Sequence, residues 1–184
     1  MKKALFCFSM ICASAVFSAD IHNTNPVQDV KSAQSTSQDQ EIVAFLMVLN
    51  NNELAAAHLA TKNSANKKVK GFAELMIKDH TKNLDETNSL STKDQLAPLE
   101  SEQVIALKNK GTQEIAVLTP LTKVNFDKMY INDMVKGHAD ALIVIDNVLL
   151  KKVSNKELKK HLLATRQHVI HHLNAAKKIQ KQMS

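Results

Sequence analysis

Apolar residues recur at three- and four-residue spacing over four long stretches, the mark of helices that each bury one face. Helix A is predicted over 39–64, with Ile42, Phe45, Leu46, Leu49, Ala56, Ala57 and Ala60 in phase. Helix B is predicted over 66–91, with Val69, Phe72, Ala73, Met76, Leu84 and Thr87. Helix C is predicted over 125–153 and carries Ile131, Met134, Ala141, Leu142, Ile145 and Leu149. Helix D is predicted over 155–183 and carries Leu158, Leu162, Thr165, Val169, Ala176 and Ile179. Asn125 and Asn155 are suited to cap the starts of C and D.

The links between these stretches set the topology. A and B, and C and D, are separated by only a few residues, so each pair forms an antiparallel hairpin. The B–C link, roughly 92–124, is long and punctuated by Pro98, Gly111 and Pro120. Within it Val104, Ile105, Leu107, Ile115 and Leu118 mark a short amphipathic helix. The expected fold is therefore all-α, a ferritin-like four-helix bundle with a short helix in a long B–C connection. An up-down bundle with a decorated loop is the alternative.

Composition supports this and trims the ends. The 184 residues include three Gly, three Pro, no Trp and 4% aromatics, which favours helix throughout. Lys2 and Lys3 precede an uncharged run from Ala4 to Val16, too short to span a bilayer and suited to a secretory signal. Residues 1–19 are thus expected to be a cleaved signal peptide, 20–38 a polar flexible tether, and 39–184 the bundle. No other apolar stretch is expected to cross a membrane, and the protein is expected in the periplasm or secreted. Both cysteines, Cys7 and Cys12, fall in the signal, so the mature protein would use neither disulfides nor thiolates. Removing Lys2 and Lys3 takes the charge from 24 − 18 = +6 to 22 − 18 = +4. That charge is spread along the chain without an Arg cluster or interleaved aromatics, which disfavours nucleic acid as a partner.

The informative residues are those that interrupt the apolar stripes. Glu53 falls on the buried face of A, His80 on that of B, His138 on that of C and His172 on that of D, with His168 at the edge one turn earlier. Glu53 lies about twelve residues before the A–B turn and His80 about fourteen after it. His138 and His168 each stand about fifteen residues from the C–D turn, so at about 1.5 Å per residue all sit near mid-height. A carboxylate and imidazoles converging there suit one transition-metal ion, Zn, Cu, Ni or Fe. The expected ligands are Glu53, His80, His138 and His168, with His172 as substitute or support. A di-iron carboxylate site is disfavoured, because Ile77 and Thr165 stand where Glu-x-x-His would need carboxylates. Asp79 borders the core, where it could orient His80.

A second reading keeps the same residues as a hydrogen-bonded network without metal, in an envelope interaction protein that assembles with itself or with a partner. Phosphate-cradling Gly loops, nucleophile elbows and HExxH are absent from the sequence. No nucleotide or organic cofactor is expected, and no catalytic residue is assigned.

Two motifs add a resemblance. Phe72-Ala73-x-x-Met76-x-x-Asp79-His80 on B and Phe126-Asp127-x-x-Tyr130-x-x-x-Met134-Val135-x-x-His138 on C resemble those of a bacterial exported family, the domain of unknown function 4142. Asn52-Glu53-Leu54 and Arg166-x-His168 fit the same pattern, and together these span most of the chain after the tether. The resemblance implies a ferritin-like bundle outside the cytoplasm, with Glu53, His80, His138 and His168 among its polar core residues. It implies no particular activity.

Overall fold

The computed structural model describes residues 26–183, with side chains from Ala33 onward. The expected signal segment and the first residues of the expected tether lie outside that range. Helix α1 covers Pro26–Asn63, α2 Lys67–Lys93, α3 Glu102–Leu118 and α4 Lys123–Val144. α4 continues through a π-helical stretch, Ile145–Leu149, into the single turn α5, Leu150–Lys152, and α6 covers Lys156–Met183. No strand occurs among the described residues.

Two local expectations are corrected. Helix A does not begin at Asp39; α1 is already helical from Pro26, so most of the expected tether is helix. Proline is well placed at a first helical position, and once the packed part of α1 exists, extending it backwards through Gln, Ser, Ala and Lys costs little. Asn125 does not cap helix C, since α4 starts at Lys123 and Thr122 precedes it. Asn155 does cap α6, its Oδ1 accepting from the Leu158 N–H at 2.9 Å. Asn66 caps α2 in the same way through the Lys68 N–H, also at 2.9 Å.

Polar contacts at the bundle ends fix the helix directions. Asp39 on α1 accepts from the backbone N–H groups of Ser154 at 2.8 Å and Asn155 at 2.9 Å. Asn155 in turn donates to Asp94, just past the end of α2. The packed start of α1, the end of α2 and the α5–α6 turn therefore meet at one end. At the other, Lys68 near the start of α2 donates to Gln182 near the end of α6. α2 and α4 consequently run parallel. A short loop cannot join parallel helices, so α3 travels the length of the bundle between them, as a ferritin-like layout requires. It lies close on α1: Asn52 Nδ2 donates to the Leu107 carbonyl at 2.9 Å, and a Cβ on Gly111 would stand 2.2 Å from Asn52 Cγ.

By length and composition the Ala33–Asn63 part of α1 could cross a membrane, contrary to the expectation from the sequence. Its apolar residues Ile42, Val43, Leu46, Ala57 and Ala60 are packed inside the bundle instead. The interior divides into two apolar clusters. One gathers Ile42, Phe45, Leu46, Leu49, Ala141, Ile145, Leu158 and Leu162 toward the Asp39 end. The other gathers Ala57, Val69, Phe72, Met76, Phe126, Tyr130 and Met134 toward the opposite end. Between them lies a layer of buried polar side chains, including Asn50, His80, Asn83, His138, Thr165 and His172.

Asp39 satisfies two backbone donors on a distant turn, and its loss would leave them stranded in a partly buried place. Asp39→Ala is expected to lower the unfolding free energy by about 2–3 kcal/mol in urea titrations. An unchanged midpoint would show that this clasp is not needed.

Candidate metal centre

Three helices deliver one imidazole each to the polar layer: His80 from α2, His138 from α4 and His172 from α6. Each follows the core stripe of its helix and is at most 5% exposed. Their ring centroids stand 6.2 Å (His80–His138), 5.2 Å (His80–His172) and 5.5 Å (His138–His172) apart. One nitrogen from each lies within 4.8 Å of one from each of the others.

The hydrogen bonds decide which nitrogen of each ring carries its proton and which keeps a lone pair. His138 Nδ1 lies 2.8 Å from the Met134 carbonyl oxygen, which can only accept, so Nδ1 carries the proton. His172 Nε2 lies 2.9 Å from Asp79 Oδ2 and donates to that carboxylate. His80 Nδ1 lies 2.8 Å from Asn50 Oδ1. The Asn50 amide nitrogen is already committed as donor to the Leu46 carbonyl and to Asn83 Oδ1, both at 2.8 Å, so Oδ1 is its accepting atom and His80 Nδ1 must donate. The chain of donors continues from Asn83 Nδ2 to Thr165 Oγ1 and from there to the His161 carbonyl. One nitrogen of each ring is thereby spoken for. The other three, His80 Nε2, His138 Nε2 and His172 Nδ1, are buried and have no hydrogen-bonding partner among the described residues.

Electrostatics keep these rings neutral. Burial pushes His138 down to about 4, with its bond to the Met134 carbonyl opposing. Burial likewise takes His172 to about 4, against the pull of Asp79 and helped by His138. His80 falls well below the ordinary histidine range through burial and then through its neighbours His172, His138 and His168. Three neutral imidazoles gathered in one buried layer, each with a nitrogen lone pair left free, are a donor set for a borderline transition metal. Outer nitrogens held by a carboxylate, an amide and a backbone carbonyl are the support that metal-bound histidines usually have.

Among the five residues singled out from the sequence, the structure brings His80, His138 and His172 together. His168 stays one turn away on α6, near enough to His80 and His161 that its charge would lower both, with its own Nδ1 buried and without a partner among the described residues. Asp79 orients His172 rather than His80. Glu53 turns toward α3. It lines a cavity of about 240 Å³ with Asn52, Lys110, Gly111, Glu114 and Gly137. Burial raises Glu53 to about 7, with Lys110 pulling the other way. Glu114 is also raised to about 7, by burial first and then by Glu53 and Asp133. Burial and then these two carboxyls hold the Tyr130 phenol well above its ordinary range.

The sequence reading passed over Asn50 and Asn83, which orient the centre. The signal was present: each lies three residues from a stripe-breaking residue, Glu53 and His80, and so on the same helical face.

The carboxyl at Glu53 gives a pH dependence of known sign. Its folded value of about 7 stands above the ordinary 4.5, so its contribution to stability is complete below about 4.5 and is lost as pH rises through about 7. Glu53→Gln removes that loss. In chelator, the melting temperature of Glu53→Gln minus that of the wild type should widen by several degrees between pH 5 and pH 8. Contributions from the histidines, common to both proteins, cancel in this difference. A flat difference would mean that Glu53 is solvated as an ordinary carboxylate.

Comparison with known proteins adds one match. Searches among curated proteins and among solved structures each returned none. Residues 25–179, which take in α1, α2, α4, all but the last turn of α6 and the three converging histidines, match the family described as Domain of unknown function (DUF4142). The chain is therefore a member of the DUF4142 family.

Proposed function

We propose that the protein binds one transition-metal ion between α2, α4 and α6, through His80 Nε2, His138 Nε2 and His172 Nδ1. The observation that carries this reading is the set of three unpartnered inward nitrogens, each opposite a nitrogen that donates to a fixed acceptor. Three imidazoles leave at least one coordination position open, for water or for a donor from a partner or small molecule. Zn²⁺ and Cu²⁺ suit an all-nitrogen set best, with Ni²⁺ and Fe²⁺ behind them. The apolar run at the amino terminus, Ala4 to Val16, fits an export signal, and the role we assign is metal binding or handling outside the cytoplasm.

A purely structural network is the second reading. The Asn50–Asn83–Thr165 chain favours it, since such chains can fix helix register without any ion. It accounts for the outer nitrogens and leaves the inner three as buried acceptors without donors, at a cost of about 1–3 kcal/mol each.

Elemental analysis and metal titration of the mature protein separate the two. Metal binding predicts about one equivalent of tightly held ion and a rise in melting temperature when Zn²⁺ is added. Single substitutions His80→Ala, His138→Ala and His172→Ala should each weaken binding by about a hundredfold or more, whereas His168→Ala and Glu53→Gln should change it by less than about threefold. Absence of bound metal, with no thermal response to Zn²⁺, Cu²⁺, Ni²⁺ or Fe²⁺, would leave the structural reading standing.

A further inference from the structure

His172 has a second set of neighbours. Its Nε2 meets Asp79, and donor atoms of Asp79, His171 and His172 all lie within 4.8 Å of one another. The His171 and His172 rings are 5.8 Å apart between centroids. The three differ in depth: His171 is exposed, Asp79 retains 23% of its side-chain exposure, and His172 is 1% exposed. A carboxylate and two imidazoles form a competent set for the same class of ion as the buried centre. The series His171, Asp79, His172 leads from solvent to the three converging nitrogens.

From this juxtaposition we infer that Asp79, His171 and His172 form an outer cation site that loads the buried centre, the two sites sharing the His172 ring. The inference rests on the metal-binding reading of that centre. Asp79 supplies negative charge at the surface end and so raises the local concentration of cations. His171 gives an arriving ion an imidazole that solvent reaches directly. The shared ring makes the two positions mutually exclusive, because a neutral imidazole has one lone pair. An ion held outside takes it at Nε2 and leaves the proton on Nδ1, which deprives the inner centre of a donor. An ion held inside takes it at Nδ1, and the proton returns to Nε2 and its bond with Asp79. The ring carries one proton in either state, so the exchange balances. Each chain therefore holds one ion, outside while loading and inside at rest.

The test uses the full mature chain and Zn²⁺ alone, with uptake followed by stopped flow against a chromophoric chelator and affinity measured at equilibrium. His171→Ala should slow uptake by roughly tenfold or more. Equilibrium affinity should stay within about threefold of the wild type, at one ion per chain. Uptake within twofold of the wild type would overturn the loading role, and two Zn²⁺ ions bound per chain at once would overturn the sharing of His172. A second pair of variants separates this proposal from the reading beneath it. His138→Ala should lose the tight site and keep a weak one, and His138→Ala/His171→Ala should lose both, with helical content checked by circular dichroism. His138→Gln replaces His138→Ala if the latter does not fold. Weak binding that persists unchanged without His171 refutes the outer site whatever the fate of the inner one. A wild type that binds only weakly, and loses that binding with His171, refutes the inner centre and leaves the outer site in place.

Discussion

A neutral imidazole has two ring nitrogens and one proton to share between them, so a buried histidine that donates to a fixed acceptor must present a bare lone pair on its other side. This constraint acts three times in one layer of this bundle. The Met134 carbonyl cannot donate, Asp79 is a carboxylate, and the Asn50 amide nitrogen is already committed twice. Each acceptor is rigid for its own reason: one is helix backbone, one reaches across from a neighbouring helix, and one belongs to a chain of amides and hydroxyls. The inward lone pairs of His80, His138 and His172 follow from these partners. Burial then keeps the rings uncharged, so the cost of gathering them falls on unsatisfied acceptors rather than on repelling cations.

The apolar clusters on either side give that layer its rigidity. Ile42, Leu46, Ile145 and Leu162 lie toward one end, Met76, Phe126, Tyr130 and Met134 toward the other, and every one is close-packed. A polar layer between two such clusters resists rearrangement, because shifting a helix by a residue would carry apolar groups into the layer and imidazoles out of it. The connection through α3 contributes in another way. By running the length of the bundle it lets α2 and α4 lie parallel, and it sets its own carboxyl, Glu114, beside Glu53 and Tyr130. The interior thus contains two chemically distinct polar groups, imidazoles between α2, α4 and α6 and carboxyls beneath α3.

Much of this was legible in the residue pattern. Stripes of the three- and four-residue period located all four long helices, and the long B–C link with its apolar positions revealed α3. The stripe-breaking histidines marked the right layer because helical phase and distance from a turn are properties of sequence alone. Periodicity could not say which way a side chain at the edge of a stripe turns. Glu53 was expected at the height of the centre, yet it is drawn toward the cavity under α3, and His172 rather than His168, one turn earlier on α6, joins the other two rings. Those outcomes depend on α3 docking against α1 and on the rotation of α6, both set by tertiary packing. The start of α1 was hidden for a different reason: a polar tract without periodicity reads as a tether, although it can extend a helix that is anchored further along.

The three inward nitrogens are not equivalent in reach. His80 and His138 turn inward through Nε2, the atom furthest from the backbone, whereas His172 does so through Nδ1, which adjoins the Cγ carbon. An ion held by all three would be met by a shorter side-chain reach from α6 than from α2 or α4. Side-chain length then becomes a rule for redesign. An aspartate spans about the distance that His172 uses, and a glutamate spans that of the other two. Carboxylates introduced by that rule would convert a set of borderline nitrogen donors into one of hard oxygens.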